Sequence, residues 1–383
     1  MSQNSRAYYL DWIRIGVILL LVPFHSAVSF TRIGDAFIKY QQSALAMDIG
    51  LAFLAIWIMP VLFMVSGAAS YYALQHKTPK EYARERRTKL LKPFIAGTLL
   101  VCVPLSYLRA LFIGSFHGSF LRFYPLFFTN GAYPRGNFNW GHLWFLIYLF
   151  VFTLILRPFF VRMTVERASA RLVAASSILE KGLWIYIVVI PAMFTETLLR
   201  PYFPGLQNLF WDWANFTLYL LLVFYGFLFA MNDRILDNIE RIRTFSLVLA
   251  IFLFVVAAYL RLSGMGPVMG RMFPAFKALM VFAWVFSMLG YAKRYLNRQG
   301  RFYRYLNNAS FPFYIFHYVP ITVAAYFIAR SDLNVWLKWV VIIVLAYPST
   351  FALYEIVKRI PVLRFLFGVK PGSARIQPVV APD

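Results

Sequence analysis

Long apolar stretches recur along the chain at the length that a helix needs to cross a lipid bilayer. A transmembrane helix takes about 20 apolar residues, and about ten such stretches are spread over the 383 residues. Charged residues make up only 14% of the sequence, against about 25% in a soluble domain. The sequence therefore predicts an all-α, polytopic integral membrane protein, and it excludes a soluble enzyme, a disulfide scaffold and a disordered chain.

No internal repeat, low-complexity tract or long linker separates these stretches, so we expect one transmembrane domain over residues 1–383 with a short cytoplasmic tail from about residue 359. The single cysteine, Cys102, has no intrachain partner. The first stretch lacks a cleavage site of small residues and is predicted to be a retained helix. The predicted spans are 11–31, 48–74, 93–115, 142–164, 182–199, 213–232, 245–263, 271–292, 309–330 and 334–358.

The net charge of +23 follows the pattern of membrane orientation. In a soluble protein such an excess would suggest nucleic acid, but here the cations cluster in short connections between apolar stretches, and we expect no nucleic-acid partner. Lysine and arginine are dense in residues 75–92, 293–304 and 358–375 and sparse in the intervening connections. The positive-inside rule therefore places both termini in the cytoplasm.

Two basic side chains in the first stretch, Arg14 and His25, stand where ionisable groups are costly. Such a residue costs about 2.5–3.5 kcal/mol even on the lenient insertion scale and is a functional candidate by default. Eleven residues at about 100° each make three turns plus about 20°, so the two side chains share one helix face, about 16 Å apart. We expect Arg14 near the cytoplasmic surface and His25 near the middle of the membrane.

This spacing fits a long ligand with an anionic head and a reactive tail. A guanidinium binds phosphates bidentately, and an imidazole kept away from water stays neutral and can accept a proton. An acyl-CoA has this shape, with phosphates in the cytoplasm and a thioester at His25. Alternatively, Arg14 extends to the interface beside Asp11, and His25 bonds to a neighbouring helix.

Other histidines lie near span ends or inside spans. His317 is about eight residues into the ninth predicted span, with Tyr314 three residues before it. A second polar group near the depth of His25 favours a polar chamber, although a lone histidine there is typical of an interhelical hydrogen bond. His142 opens the fourth span beside Trp144, and we expect it near the outer face, either on the approach of an acceptor or in an aromatic belt.

The connection at 75–92 carries four closely spaced cations, Arg84, Arg86, Arg87 and Lys89. Topology and attraction to anionic lipids explain such a cluster, and the same charges would serve the phosphates of CoA. In the second span, Ser66 precedes a glycine. Small residues there favour close helix packing, and they also leave room for a ligand arm.

Two longer connections on the predicted outer side, 116–141 and 200–213, are rich in aromatic residues. They form either an interfacial belt or a stacking platform for sugar rings. No histidine, cysteine and carboxylate cluster has metal-ligand spacing, and the sequence has no glycine-rich phosphate loop, nucleophile elbow or dinucleotide fingerprint. We therefore expect neither a metal nor a permanently bound cofactor.

Several short motifs resemble the membrane acyltransferase family 3. That family carries an arginine, ten residues and a histidine in its first transmembrane helix, and Arg14 and His25 stand at this spacing. Further matching pieces follow in family order: Phe63-Met64-Val65-Ser66-Gly67, the basic stretch ending at Pro93, His142-Leu143-Trp144-Phe145-Leu146, and Asn308-Ala309-Ser310-Phe311 through Tyr314 to His317. The similarity covers about residues 9–371, and ten helices are typical of the family.

The C-terminal pieces are similar to the branch of that family that succinylates osmoregulated periplasmic glucans. These pieces are Tyr354-Glu355-Ile356, Arg359-Ile360-Pro361 and Phe365-Leu366-Phe367 through Lys370-Pro371. The resemblance implies a bacterial inner-membrane enzyme that moves an acyl group from cytoplasmic acyl-CoA, either succinyl-CoA or acetyl-CoA, to a hydroxyl of a periplasmic carbohydrate. It also implies that Arg14 and His25 are the essential pair.

This sequence departs from the family pattern at two places. Ala68 follows the serine-glycine step, where the family usually has an aromatic residue. The family's two arginines three residues apart correspond either to Arg84 with Arg87 or to Arg86 with Lys89. The competing function is a transporter or flippase that uses the intramembrane arginine and histidines, although the matched broken helices of such proteins are not evident.

Overall fold

The chain is helical because a helix is the structure in which an apolar segment satisfies its own backbone hydrogen bonds in lipid. The computed structural model describes residues 7–133, 135–265 and 270–369, without the side chains of 166–169 and 271. No strand forms within these ranges. The helices are α1 (Tyr8–Val28), α2 (Leu45–Leu74), α3 (Pro79–Phe112), α4 (Phe120–Thr129), α5 (Gly141–Met163), α6 (Glu166–Ala175), α7 (Gly182–Leu199), α8 (Trp213–Ala230), α9 (Asp233–Arg241), α10 (Arg243–Leu262), α11 (Phe273–Tyr295), α12 (Arg301–Phe316), α13 (Tyr318–Ile328), α14 (Val335–Arg359) and α15 (Pro361–Phe367).

Nine of the helices in the described ranges are long and apolar enough to cross a bilayer, and the bent pair α12–α13 makes a tenth if it counts as one span. The nine are α1, α2, α3, α5, α7, α8, α10, α11 and α14. The predicted all-α, polytopic membrane protein is therefore confirmed.

The basic segment 75–92 is mostly helix, whereas we expected a connection that ends at Pro93. Helix α3 begins at Pro79, with Thr78 as its N-cap. It passes through Pro93 after a π-helical turn at Arg87–Leu91. Because proline has no N–H and its ring needs room, the wider turn lets the helix continue past it. The cations from Lys80 to Lys92 are thus fixed on helix faces.

Helices α2 and α8 cross at a pair of glycines. A Cβ atom at Gly67 would lie 2.0 Å from the carbonyl oxygen of Val223, and one at Gly226 would lie 1.9 Å from that of Met64. The two backbones therefore touch, as small residues allow in membrane bundles. The glycine of the serine-glycine step in α2 therefore serves close helix packing.

Helices α12 and α13 meet at a bend of 49° on either side of His317. Pro320 explains the break, because it has no N–H for the carbonyl of Phe316, four residues before it. Carbonyl groups in the last turn of a helix lack their helical partners. The bend therefore leaves acceptors inside the bundle.

Both ends of the described chain lie at the same end of the bundle. The N–H of Tyr8 donates to Oδ1 of Asn297 at 3.1 Å. At the other terminus, α15 packs on α3, with the Lys92 ammonium 3.5 Å from the centre of the Phe365 ring. Two tail cations that entered the orientation argument, Lys370 and Arg375, lie outside the described residues.

At the opposite end of α1, residues 29–44 fold over the helix terminus, and we call them the covering segment. The N–H of Tyr40 donates to the carbonyl of Ser29 at 2.9 Å, and the Lys39 ammonium donates to the carbonyl of Val28 at 2.8 Å. A cation at a helix C-terminus is favoured by the helix dipole. Phe37 of this segment has a buried side chain.

Candidate active site

A cavity of about 740 Å³ opens where α1, α2, α3, α12 and α14 meet. This is within the usual size of a small-molecule site, about 300–1,000 Å³. Its charged lining is mostly positive, with five cations against the two carboxylates Asp11 and Glu85. The cations are Arg14, Lys77, Arg86, Lys89 and Lys358. We call this space the basic cavity.

Arg14 is held at the wall of the basic cavity by two hydrogen-bond partners. Its Nη2 donates to Oδ1 of Asp11 at 2.7 Å and to Oδ1 of Asn307 at 2.5 Å. The other carboxylate oxygen of Asp11 accepts from the hydroxyl of Tyr303 at 2.5 Å. About a third of the Arg14 side chain stays exposed. The guanidinium is therefore oriented while part of its surface remains open to a ligand.

Two of the four predicted cations of α3 reach the basic cavity and two do not. Arg86 and Lys89 line the cavity, whereas Arg84 and Arg87 are exposed elsewhere on the helix. Arg86 stacks over the ring of Tyr82 at 4.8 Å, and its Nε is buried without a hydrogen-bond partner in the described ranges. Of the two pairs that match the three-residue motif, Arg86 with Lys89 is the pair that lines the basic cavity.

The deep end of the basic cavity is formed by Tyr314 on α12 and Phe145 on α5. Tyr314 is buried, and its hydroxyl donates to the carbonyl oxygen of His142 at 2.5 Å. Its ring centre is 5.8 Å from that of His142 and 6.2 Å from that of His317. One aromatic layer therefore separates the cavity from a group of histidines.

Three histidines from three parts of the chain meet behind Tyr314, and we call them the histidine cluster: His25, His142 and His317. The ring centres of His25 and His317 are 5.2 Å apart, those of His142 and His317 are 5.0 Å apart, and those of His25 and His142 are 6.5 Å apart. His142 and His317 are buried, and His25 is partly accessible. His25 is thus the most exposed member of the cluster.

Backbone carbonyls at the α12–α13 break fix the protons of two of these rings. Nε2 of His142 lies 2.9 Å from the carbonyl oxygen of Ile315, and Nδ1 of His317 lies 2.7 Å from that of Tyr314. A carbonyl oxygen only accepts, so each of these nitrogens carries the hydrogen. Nδ1 of His142 and Nε2 of His317 are left as buried acceptors with no partner in the described ranges.

The chain matches the family model described as an acyltransferase domain over residues 7–355. It belongs to this acyltransferase family. Among curated proteins it is similar to Glucans biosynthesis protein C of Escherichia coli O1:K1 / APEC, with 25% identity over 97% of this chain and 96% of the relative. The protein of the same name from Escherichia coli strain K12 is also 25% identical over the same shares of both chains. No solved structure gives a match.

The protein is therefore an acyltransferase, and the resemblance found from its motifs is confirmed. Arg14 and His25 both face the α12–α13 pair in this acyltransferase: Arg14 bonds Asn307, and His25 packs against His317. The two side chains therefore lie on one face of α1, as their spacing predicts. The pair of Arg14 with Asp11 is present as well.

His25 lies in the last turn of α1, which ends at Val28. The covering segment folds back over this end of the helix. His142 is buried beside His25, with the two ring centres 6.5 Å apart. It is drawn inward by the short 3₁₀ turn Gly141–Leu143, which begins at a glycine with φ of +46°.

Trp144 lies in the aromatic core of the bundle, whereas Ser66 lies at the basic cavity. Trp144 is buried against the rings of Tyr148 and Tyr219, at 5.1 and 5.6 Å, so it supports the core rather than an acceptor path. Ser66 lines the basic cavity, and its hydroxyl donates to the carbonyl of Leu62 at 2.7 Å.

No carboxylate is bonded to a ring of the histidine cluster within the described residues. Three acids on transmembrane helices bond elsewhere. Glu196 is bonded to Arg200, Glu355 lies 3.3 Å from Lys358, and Asp48 accepts the N–H of Arg32 at 2.8 Å.

Sequence reasoning missed two parts of the site. It did not bring Lys77 and Lys358 into one cavity with Arg14, because Lys77 follows α2 and Lys358 lies near the end of α14. It also missed Tyr318, whose ring stands 4.4 Å from that of His25. The proline four residues after Phe316 was the signal for the break that brings Tyr318 and His317 to the cluster.

Proposed function

We propose that this acyltransferase is a bacterial inner-membrane O-acyltransferase. It transfers an acyl group, succinyl or acetyl, from cytoplasmic acyl-CoA to a hydroxyl of a periplasmic glucan or another envelope carbohydrate. Acyl-CoA is a co-substrate, and no cofactor is bound permanently. The observation that carries the proposal is the basic cavity, which leads from five cations to the aromatic layer in front of the histidine cluster.

The donor enters with its phosphates at the cationic wall. Arg86 and Lys89 stand on one face of α3, opposite Arg14, and charge-assisted bonds to phosphate are the strong ones. The helical rise places Arg14 and His25 about 16 Å apart along α1. A pantetheine arm is long and thin enough to follow that path past Tyr314, so the thioester arrives at His25.

His25 performs the chemistry in one of two ways. As a general base, it removes the proton of the acceptor hydroxyl while the oxygen attacks the thioester carbon, and such catalysis contributes about 10²–10⁴-fold. Alternatively, it takes the acyl group itself and passes it to the hydroxyl. In both routes the C–S bond breaks, and CoA leaves with a proton on sulfur.

The acceptor approaches from the end of the bundle opposite the basic cavity. The relatives are named for glucan biosynthesis, and a glucan offers hydroxyl groups and sugar rings. The connection at 200–212 exposes Tyr202, Phe210 and Trp211, with exposed fractions of 78%, 73% and 66%. Rings of this kind suit either a sugar platform or an interfacial belt.

The test is acyl transfer by purified protein in detergent, with radiolabelled succinyl-CoA or acetyl-CoA and extracted periplasmic glucan. Wild-type protein is expected to label the glucan, and His25→Ala is expected to lose at least about 10²-fold in kcat. The exposed histidine His117 gives the matched control, His117→Ala. Labelling by well-folded His25→Ala at the wild-type rate would contradict the mechanism. Binding of donor without transfer by the wild type would favour the transporter instead.

A further inference from the structure

The histidine cluster contains a buried acceptor that the reaction scheme above does not use. Nε2 of His317 has no hydrogen-bond partner in the described ranges, because its proton sits on Nδ1 and is donated to Tyr314. A buried polar atom without a hydrogen-bond partner destabilises the fold. Such an atom beside a candidate catalytic residue indicates a partner that it serves during the reaction.

We infer that His317 is a positioning residue whose Nε2 accepts the N–H of His25 and so fixes which nitrogen of His25 acts as the base. This inference rests on the proposed function of His25. A histidine base needs one bare nitrogen toward the hydroxyl, and its other nitrogen carries the hydrogen. In most such sites an acid or a backbone carbonyl accepts that hydrogen.

The distances fit this role. A hydrogen bond of about 2.9 Å between two imidazole nitrogens sets their ring centres about 5 Å apart, and the rings of His25 and His317 are 5.2 Å apart. The ring nitrogens of His25 make no hydrogen bond within the described residues, and the bond to Nε2 of His317 is not made there either. The His25 ring is therefore free of competing bonds and has to turn to make this one. His142 is farther from His25, at 6.5 Å, and is the weaker candidate.

Among the groups around His25, His317 is the one suited to accept its N–H. The cluster is packed by Tyr314, Tyr318 and Phe313, and no carboxylate bonds to its rings in the described part of the chain. A neutral imidazole acceptor also avoids burying a carboxylate, which would carry a large desolvation cost in this setting.

His317 stays neutral throughout the reaction, and every proton is accounted for. The bare nitrogen of His25 takes the hydroxyl proton as the new C–O bond forms, and its other N–H stays hydrogen-bonded to Nε2 of His317. When the C–S bond breaks, the proton on His25 passes to the sulfur of CoA. The net reaction is alcohol plus acyl-CoA giving ester plus free CoA, and His25 returns to its starting tautomer.

Two substitutions at His317 test the contributions of its two ring nitrogens separately. His317→Asn keeps an N–H near the position of Nδ1 for the carbonyl of Tyr314 but has nothing at Nε2. His317→Gln puts an amide oxygen near the position of Nε2, where it accepts a hydrogen bond, but loses the bond to Tyr314. The same two changes at the exposed His117 are the matched controls.

We expect kcat of His317→Asn to fall about 10–100-fold, in the range seen when the partner of a functional histidine is removed. His317→Gln is expected to keep most of kcat, and KM for the donor is expected to be the same in both. If His317 only stabilised the fold through Tyr314, the order of the two variants would be reversed. Equal losses in the two variants, or a greater kcat in His317→Asn, would overturn the inference.

A spectroscopic measurement on wild-type protein tests the same contact without activity. In protein labelled with ¹⁵N-histidine and assigned with His317→Gln, we expect Nε2 of His317 to resonate as a bare nitrogen that accepts a hydrogen bond. A protonated Nε2 or a bare nitrogen without a hydrogen bond would overturn the inference, even if neither variant folds. Failure of the wild type to transfer acyl groups would instead count against the proposed function.

Discussion

Nη2 of Arg14 donates to Oδ1 of Asn307 at 2.5 Å, which ties α1 to α12 at the wall of the basic cavity. The same two segments meet again deeper in the bundle, where His25 faces His317. Contacts between helix α1 and the α12–α13 pair thus fix both ends of the candidate site, the cationic wall at Arg14 and the histidine cluster at His25. Changes at one end should act on binding, and changes at the other should act on chemistry.

Arg14→Gln is expected to raise KM for acyl-CoA about 10–100-fold, because a charge-assisted bond contributes about 1.5–3 kcal/mol. The effect on kcat should be much smaller. Arg14→Lys should recover part of the binding, since an ammonium is a point charge without the planar fork. Steady-state kinetics with donor varied check this, and a loss confined to kcat would place Arg14 outside the donor site.

The two pairs of cations on α3 make a matched comparison. Replacing Arg86 and Lys89 by glutamine should weaken CoA binding about tenfold or more, because both side chains line the basic cavity. The same replacements at Arg84 and Arg87 should change it by less than about twofold, as expected for exposed charges. Calorimetric titration with CoA measures both. Equal weakening by the two pairs would show that general attraction, rather than the cavity, holds the donor.

Gly67→Ala should strongly destabilise the bundle, since its new Cβ would lie 2.0 Å from the carbonyl oxygen of Val223. Overpacking costs about 1–3 kcal/mol and more where backbone must move. Gly50→Ala on the same helix meets nothing within 4 Å and should be neutral or stabilising. Thermal unfolding in detergent compares them, and equal melting temperatures would contradict the close α2–α8 crossing.

The covering segment should keep water away from His25. Asp35 in this segment accepts from Nη1 of Arg109 at 3.2 Å and from the hydroxyl of Tyr133, and Phe37 packs 5.3 Å from the ring of Tyr318. Asp35→Ala should loosen the segment and increase acyl-CoA hydrolysis in the absence of acceptor.

The control for the covering segment is Asp332→Ala, an exposed acid in the connection between α13 and α14. The measurement is release of free CoA with no carbohydrate present. Hydrolysis that is no faster in Asp35→Ala than in the control would mean that the segment does not shield the site.

The sequence predicted those features that depend on local pattern. Apolar stretches indicated the spans, and helical periodicity put Arg14 and His25 on one face. The selection of Arg86 and Lys89 over Arg84 and Arg87 was not available from spacing, because both pairs are three residues apart and the choice depends on how α3 is rotated against α1 and α14.

The histidine cluster was also beyond local pattern. His142 reaches His25 because a short turn and the break before Tyr318 bring three separate segments together. The cluster depends on contacts between residues more than 100 positions apart. Such contacts leave no periodic pattern in a single sequence. The proline in α13 marked the break but not what would pack against it.

The proposed function requires the basic cavity and His25 to belong to one site for acyl-CoA. A cryo-electron microscopy structure of the protein with a non-hydrolysable acyl-CoA analogue tests this requirement. We predict the phosphates against Arg14, Arg86 and Lys89, and the sulfur position in contact with His25. An analogue bound with its phosphates away from these cations, or with its acyl end remote from His25, would show that the two do not form one site.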